Sequence, residues 1–192
     1  MYTSQTLTFE SDKITTKLQK TFGDMEIPVM MDWEDSLMSA SAAYVTQNGG
    51  DILEIGFGMG ISAGYMHSHS INSHTIIENH PDIIPKAIEW ASDKSNVTIV
   101  SQSWYDVKDS LGTFDGVFYD TFEDKNYKDF SSSLSTWTKS GTKVTFWNDD
   151  NGESNNHQIQ TSYQQINITP PNSASVYFRS GDTIYYMPIK EF

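Results

Sequence analysis

Cysteine is absent from the 192 residues, which excludes disulfides, a thiolate nucleophile and any Cys-ligated metal. Arginine is almost absent: Arg179 is the single one, and Lys+Arg total 12 against 25 Asp+Glu, a formal net charge of −13. Phosphate backbones and anionic membrane surfaces are held mainly by Lys and Arg, so neither nucleic acid nor membrane is expected as a partner. No apolar run approaches the ~20 residues that span a bilayer. Met1–Lys13 is polar and acidic where a signal peptide needs an apolar stretch. A soluble, cytoplasmic protein with a small or cationic partner is the expectation. What the chain does have, 37% hydrophobic and 13% aromatic residues, is enough to build a core and excludes wholesale disorder.

Short apolar runs alternate with amphipathic ones, the pattern of βαβ units and a mostly parallel sheet. Strands are predicted at Asp51–Gly56, His74–Asn79, Asn96–Ser101, Phe114–Asp120 and Thr142–Asn148. Helices are predicted at Asp32–Gln47, Met59–Ser70, Pro81–Asp93 and Tyr127–Trp137, with a short turn near Trp104–Ser110. Asn48-Gly49-Gly50 is a helix-stop signal. Beyond the fifth strand, Ala174–Arg179 and Thr183–Ile189 alternate around Ser180-Gly181-Asp182 and predict an antiparallel hairpin. The expected fold is α/β, a Rossmann-like class I methyltransferase layout with helices on both faces of the sheet and a C-terminal hairpin. It reads as one domain: 1–50 an N-terminal segment and helix, 51–148 a cofactor-binding core, 149–192 a loop and hairpin.

The strongest local signal is Glu54-Ile55-Gly56-Phe57-Gly58-Met59-Gly60-Ile61, a buried strand running through a glycine loop into a helix. Glycines let backbone approach a ligand, and the helix start offers unpaired N–H groups. The dinucleotide spacing G-x-G-x-x-G would need glycine where Ile61 stands. E-x-G-x-G-x-G is instead the S-adenosyl-L-methionine form. Glu78 follows Gly56 by 22 residues (78 − 56), near the ~20-residue offset at which a carboxylate meets a ribose diol. Asn79 is beside it. Adenine would lie near Ser103-Trp104, where Trp104 either edges the ring or is a core aromatic. Glu54 either anchors the methionine amino end, directly or through water, or is a capped strand terminus.

Asp120 ends the fourth strand, the sheet edge at which open α/β sheets bind ligands. Tyr119-Asp120-Thr121-Phe122 stands where base-methylating enzymes carry Asn/Asp-Pro-Pro-Tyr, which counts against that chemistry. Glu34, in Asp32-Trp33-Glu34-Asp35, reads on its own as an acidic complement to a helix N-terminus. The five histidines, 67, 69, 74, 80 and 157, form no convincing ligand set, and no metal is expected.

Pro28-Val29-Met30 with Trp33-Glu34, Leu53–Met59, Ile76–Asn79, Phe114-Asp115-Gly116 and Tyr119-Asp120-Thr121 together resemble guanidinoacetate N-methyltransferase and the related fungal arginine methyltransferases. The order and approximate spacing match over Pro28–Asn148. The resemblance implies that Glu34 and Asp120 grip a guanidinium, with Trp33 beside them. It also implies that Met30 and Met38 pack beside the cofactor, that Gly56–Ile61 (Phe57, Gly58, Met59 and Gly60 included) cradle its methionine end, that Glu78 holds the ribose, and that Ser103 and Trp104 flank adenine. The family's N-terminal aromatic lid has no clear counterpart, although Tyr2, Phe9 and Phe22 stand in that region. Where the family's Leu-Thr-Ser backbone receives the substrate carboxylate, this chain has Asp149-Asp150-Asn151. Acids there repel a carboxylate by about 1–4 kcal/mol per close pair. The expected acceptor is therefore cationic without a carboxylate, held in part by Asp150 and Asn151. Two other functions remain open: a methyltransferase for an unrelated small acceptor with Asp120 as base, and a cofactor-binding module without methyl transfer.

Overall fold

The computed structural model describes residues 2–20, 23–148, 152–171 and 181–192. Five parallel strands carry the core: β4 (Asp51–Ile55), β5 (Ser73–Ile77), β6 (Val97–Val100), β7 (Phe114–Tyr119) and β8 (Thr138–Phe146). They lie in the order β6-β5-β4-β7-β8. The chain leaves β4 in one direction through β5 and β6, and in the other through β7 and β8. That reversal opens a crevice at the carboxyl ends of β4 and β7, where such sheets bind ligands. Strand β4 is buried from Ile52 to Ile55, as a central strand covered on both faces must be.

Helices cover both faces, as expected. On one side α1 (Asp35–Val45), α2 (Ile61–Ser68) and α3 (Ile84–Ala91) pack on Ile52, Ile76 and Phe118. On the other, α4 (Trp104–Val107) and α5 (Phe130–Trp137) pack on Leu53, Ile55, Val117 and Val144. Alternating side chains of each strand face opposite layers, so neighbours such as Ile52 and Leu53 enter different cores.

The sheet is completed by two antiparallel strands, β9 (Ser162–Asn167) and β10 (Ile184–Glu191), with β10 lying between β8 and β9. The C-terminal antiparallel pair is therefore present, but its first arm is Ser162–Asn167; the predicted arm Ala174–Arg179 lies outside the described residues. The sequence also gave no sign of an N-terminal meander, β1 (Leu7–Phe9), β2 (Lys13–Lys20) and β3 (Gly23–Met31), which forms its own three-stranded sheet. It holds because Leu7, Ile14 and Ile27 are buried, together with Thr15 and Thr16. No helix among the described residues is long and apolar enough to cross a membrane.

Candidate functional site

The crevice at the ends of β4 and β7 is a cavity of about 390 Å³, within the range of small-molecule pockets. Its floor is the glycine loop. Gly56, Gly58 and Gly60 all adopt left-handed φ, at +96°, +54° and +74°. Protein atoms already use the space each lost side chain leaves. A Cβ on Gly56 would fall 1.8 Å from the Asp120 carbonyl oxygen, on Gly58 2.5 Å from Met30 Sδ, and on Gly60 2.6 Å from the Phe57 ring. The glycines fold the loop onto its own neighbours, and only the resulting surface faces the cavity.

Of the residues singled out in the sequence, Met30, Gly56, Phe57, Gly58, Glu78, Asn79, Ser103, Trp104 and Asp120 line this cavity. Glu78 sits just beyond β5 and latches the loop. Its Oε2 accepts the Phe57 N–H at 3.0 Å, and its Oε1 accepts the Asn79 and His80 N–H groups, both at 2.8 Å. A carboxylate offers about four acceptor positions, so one is left to a ligand rather than the two a ribose diol would use. Met30 contributes from β3, its Sδ accepting the Met59 N–H at 3.1 Å.

The packing sets several of the residues singled out in the sequence apart from the cavity lining. Met38 is 1% exposed and belongs to the core under α1, because residues 37, 38, 41, 42 and 45 form that helix's buried face. Met59 and Ile61 pack into the cores flanking the loop, and Gly60 holds the helix start; none is among the lining residues. Trp33 packs against the α1 core rather than lining the cavity. Glu54 is fully buried behind the cavity wall, where it accepts the Ser62 hydroxyl proton and has His74 Nε2 2.9 Å from its other oxygen. Asp150 and Asn151 lie outside the described residues, as do Asp149 and Phe22.

Trp104 is 3% exposed and is foremost a core aromatic, edge-on to Tyr119 and Trp137. Its indole N–H donates to Asp124, which also accepts the Tyr119 hydroxyl at 2.6 Å and the Asn126 N–H at 2.8 Å. Burial, then the Asp124 charge, keeps the Tyr119 phenol protonated. Asp124 was missed in the sequence because its partners come from two other elements. Asp124→Ala is expected to leave two buried donors unpaired and cost about 2–4 kcal/mol. Urea unfolding measures this, and a loss below ~1 kcal/mol would show that the pair is satisfied without it.

The N-terminal residues reach the same cavity. Tyr2 and Thr3 line it, and the Tyr2 ring lies 5.0 Å from Phe122 and 4.6 Å from His80. His80 Nε2 is 3.1 Å from the Gln5 carbonyl, the Asp82 carboxylate accepts the Leu7 N–H at 3.2 Å, and Gln5 donates to Glu123 at 3.0 Å. Phe9 packs elsewhere, with Lys86 over its ring.

Two coupled carboxyls remain, of which Asp120 lines the cavity and Glu34 is not among the lining residues. Asp120 follows β7, its N–H bonded to the Ile55 carbonyl at 2.9 Å. Glu34 closes a 3-10 turn ahead of α1, buried, and accepts the Met31 N–H at 2.8 Å. It is thus a local cap, and also close enough to Asp120 for their charges to couple. Burial, and then the Asp120 charge, holds Glu34 well above the usual carboxylate range. Burial, and then the Glu54 charge, pushes Asp120 up to about 7. Neither has a cationic partner among the described residues. Asp120 in the cavity and Glu34 coupled to it both hold their protons more tightly than an ordinary carboxyl, as buried acids without a cation beside them do.

Comparison with known proteins agrees with this frame. Residues 8–144 match the profile of guanidinoacetate N-methyltransferase. The protein arginine N-methyltransferase 2 of Yarrowia lipolytica is 36% identical over 140 residues, 67% of this chain and 28% of that protein. Its namesake in Aspergillus fumigatus is 35% identical over 141 residues, 70% of this chain and 31% of that protein. The chain thus spans about three-tenths of the length of these curated relatives. Among solved structures, spermidine synthase from Thermotoga maritima superposes with a TM-score of 0.62 at 12% identity, covering 97% of this chain and 72% of that one. The N-methyltransferase NodS from Bradyrhizobium japonicum gives 0.58 at 12% identity, covering 83% and 97%. The structural likenesses carry the fold, whereas the profile match runs from the meander through the glycine loop and Asp120 into β8; the chain belongs to the guanidinoacetate N-methyltransferase family.

Proposed function

We propose that this chain is an S-adenosyl-L-methionine-dependent N-methyltransferase acting on a guanidino or amino nitrogen of a small or cationic acceptor, a guanidinium being the better fit, and working as a single domain. One observation carries the reading: Asp120 lines the cavity with no cationic partner among the described residues, and the buried Glu34 is close enough to couple to its charge. The cavity residues suit the cofactor. Glu78 keeps one acceptor for a ribose hydroxyl, Ser103 and the Trp104 edge wall the far end, and the start of α2 presents N–H groups to a carboxylate. When bound, S-adenosyl-L-methionine supplies an electrophilic methyl group.

The rest belongs to the chain. A guanidinium stays protonated and its nitrogens are poor nucleophiles, because their lone pairs are delocalised. Glu34 and Asp120, once ionised, pin the planar fork through charge-assisted hydrogen bonds. They draw positive charge onto two nitrogens and leave lone-pair character on the third. Asp120, whose pKa of about 7 suits a proton acceptor near neutrality, takes the proton as the new bond forms. Tyr2 and Phe122 help exclude water from the cavity.

The acceptor favoured is a cation without a carboxylate, such as an alkylguanidine, a polyamine-like amine or a protein arginine, because in the sequence Asp149 and Asp150 replace the family's Leu-Thr-Ser stretch. The test is methyl transfer from labelled cofactor to guanidinoacetate, agmatine, arginine and an arginine peptide, with products identified by mass. Product on agmatine or the peptide in excess of guanidinoacetate is expected. Product on guanidinoacetate alone would overturn the acceptor assignment. Cofactor binding with no product from any member would favour a binding module.

A further inference from the structure

The mechanism above gives no task to Asp124, a charged residue of the loop between β7 and α5 that lines the cavity. Its carboxylate is held from three places. Oδ2 accepts the Trp104 indole N–H and the Tyr119 hydroxyl, the latter at 2.6 Å, and Oδ1 accepts the Asn126 N–H at 2.8 Å. Trp104 opens α4 and Tyr119 ends β7; both rings are buried and pack edge to face with centroids 5.7 Å apart. The same loop is fastened on its other flank, where the Phe122 ring lies 5.0 Å from Tyr2 and Glu123 accepts from Gln5 at 3.0 Å. The Asp124 side chain cannot swing out to solvent without giving up its bonds to both rings.

This arrangement has a chemical direction. A carboxylate only accepts, at about four positions, so three protein donors leave one position, on Oδ1. Among the described residues no Lys, Arg or His forms an ion pair with Asp124. It therefore offers the cavity a fixed, negative, acceptor-only group. A ligand atom that meets it has to be a donor: an amino group suits it, and a carbonyl oxygen is repelled. Its bond to Trp104 also says which part of a ligand it meets, since Trp104 walls the end of the cavity assigned above to the adenine ring. Adenine has one exocyclic donor, its 6-amino group, and its ring nitrogens along that edge only accept.

We infer that Asp124 is the base-selecting residue of the cavity, accepting the 6-amino group of adenine and turning away a 6-oxo purine, and that Tyr119 is a positioning residue acting through it. The inference rests on the reading of the cavity as the S-adenosyl-L-methionine site. Tyr119 suits the part because its buried phenol stays protonated and so always donates.

The test compares three ligands by calorimetry: S-adenosylhomocysteine, its 6-oxo analogue S-inosylhomocysteine, and the analogue whose purine has no substituent at position 6. A hydrogen bond to a charged group corresponds to roughly a 10- to 100-fold preference, which the wild type is expected to show for the adenine ligand over the 6-oxo one. The unsubstituted purine should fall between them, because it loses the bond without bringing an oxygen against the charge. Asp124→Asn keeps an oxygen for Trp104 and Tyr119 and turns an amide N–H to the purine, so the preference is expected to vanish or invert. Tyr119→Phe should reduce the preference, whereas a merely structural role would weaken all three ligands equally and overturn the positioning assignment. A preference in Asp124→Asn as large as in the wild type would overturn the Asp124 assignment while leaving the cofactor reading intact. So would a wild type that binds the 6-oxo ligand as tightly as either of the others, a comparison that decides even if Asp124→Asn fails to fold. No binding of S-adenosylhomocysteine to the wild type would overturn the cofactor reading and the inference with it.

Discussion

Gly56→Ala is expected to destroy cofactor binding and to destabilise the protein by more than ~3 kcal/mol. A side chain at φ +96° carries a steric penalty of about 1 kcal/mol before any contact is considered. The larger part is the clash, because the new Cβ would lie 1.8 Å from the Asp120 carbonyl oxygen. Neither side can yield. The Gly56 N–H is bonded to the Ile77 carbonyl at 2.9 Å, and the Asp120 N–H to the Ile55 carbonyl at 2.9 Å. Relief would require parting β4 from β7 where the cavity opens. Gly64 provides the control: it lies inside α2 with nothing within 4 Å of an added Cβ, so Gly64→Ala should be neutral or stabilise by about 0.5–1 kcal/mol. Urea unfolding of both variants, with S-adenosylhomocysteine titrations, separates the cases. Equal behaviour of the two would show that the loop is softer than its hydrogen bonds indicate.

Asp120→Asn is expected to lower kcat/KM by about 10³-fold, since it removes half of the guanidinium grip and the proton acceptor together. Glu34→Gln is expected to cost about 10²-fold. A glutamine can still accept the Met31 N–H, so that variant tests the charge and not the cap. Wild-type activity should rise with pH through about 7, as Asp120 ionises, and approach a plateau above it.

Stability should move the other way. The folded protein holds a proton on Asp120 up to about 7, whereas the unfolded chain releases it near an aspartate's ordinary value of 3.8. The folded state therefore binds the extra proton between those values. Its stabilising effect is complete below the unfolded pKa and is lost as pH rises toward 7, with a ceiling of roughly 4 kcal/mol. In the absence of ligand, the Tm of the wild type should fall between pH 5 and pH 8, and that of Asp120→Asn should fall less. A variant that is more stable at pH 8 yet nearly inactive is the signature of a site strained for function. Parallel Tm profiles for the two proteins would remove Asp120 from this role.

The five parallel strands were legible because each is a short apolar run buried on both faces, bounded by glycine or polar turns. The glycine loop, Glu78 and Asp120 were legible because spacing along one strand–loop–helix unit fixes where they fall. The meander was not: Lys13–Lys20 buries Thr15 and Thr16 beside Ile14, so its pattern carries no apolar alternation. Strand β9 buries none of its six residues and exists because Ile184–Ile189 pairs with it residue for residue.

By itself, then, the sequence determined the family, the sheet and the loop, all of which depend on local spacing and hydrophobic period. Tertiary structure alone decided the surroundings of each acid. Glu54 and Asp120 both stand near the ends of central strands, yet Glu54 is sealed inside and accepts from Ser62, whereas Asp120 lines the cavity with no cationic partner among the described residues. A carboxylate's role is set by the donors and charges within a few ångströms of it, and those come from strands far apart in the chain.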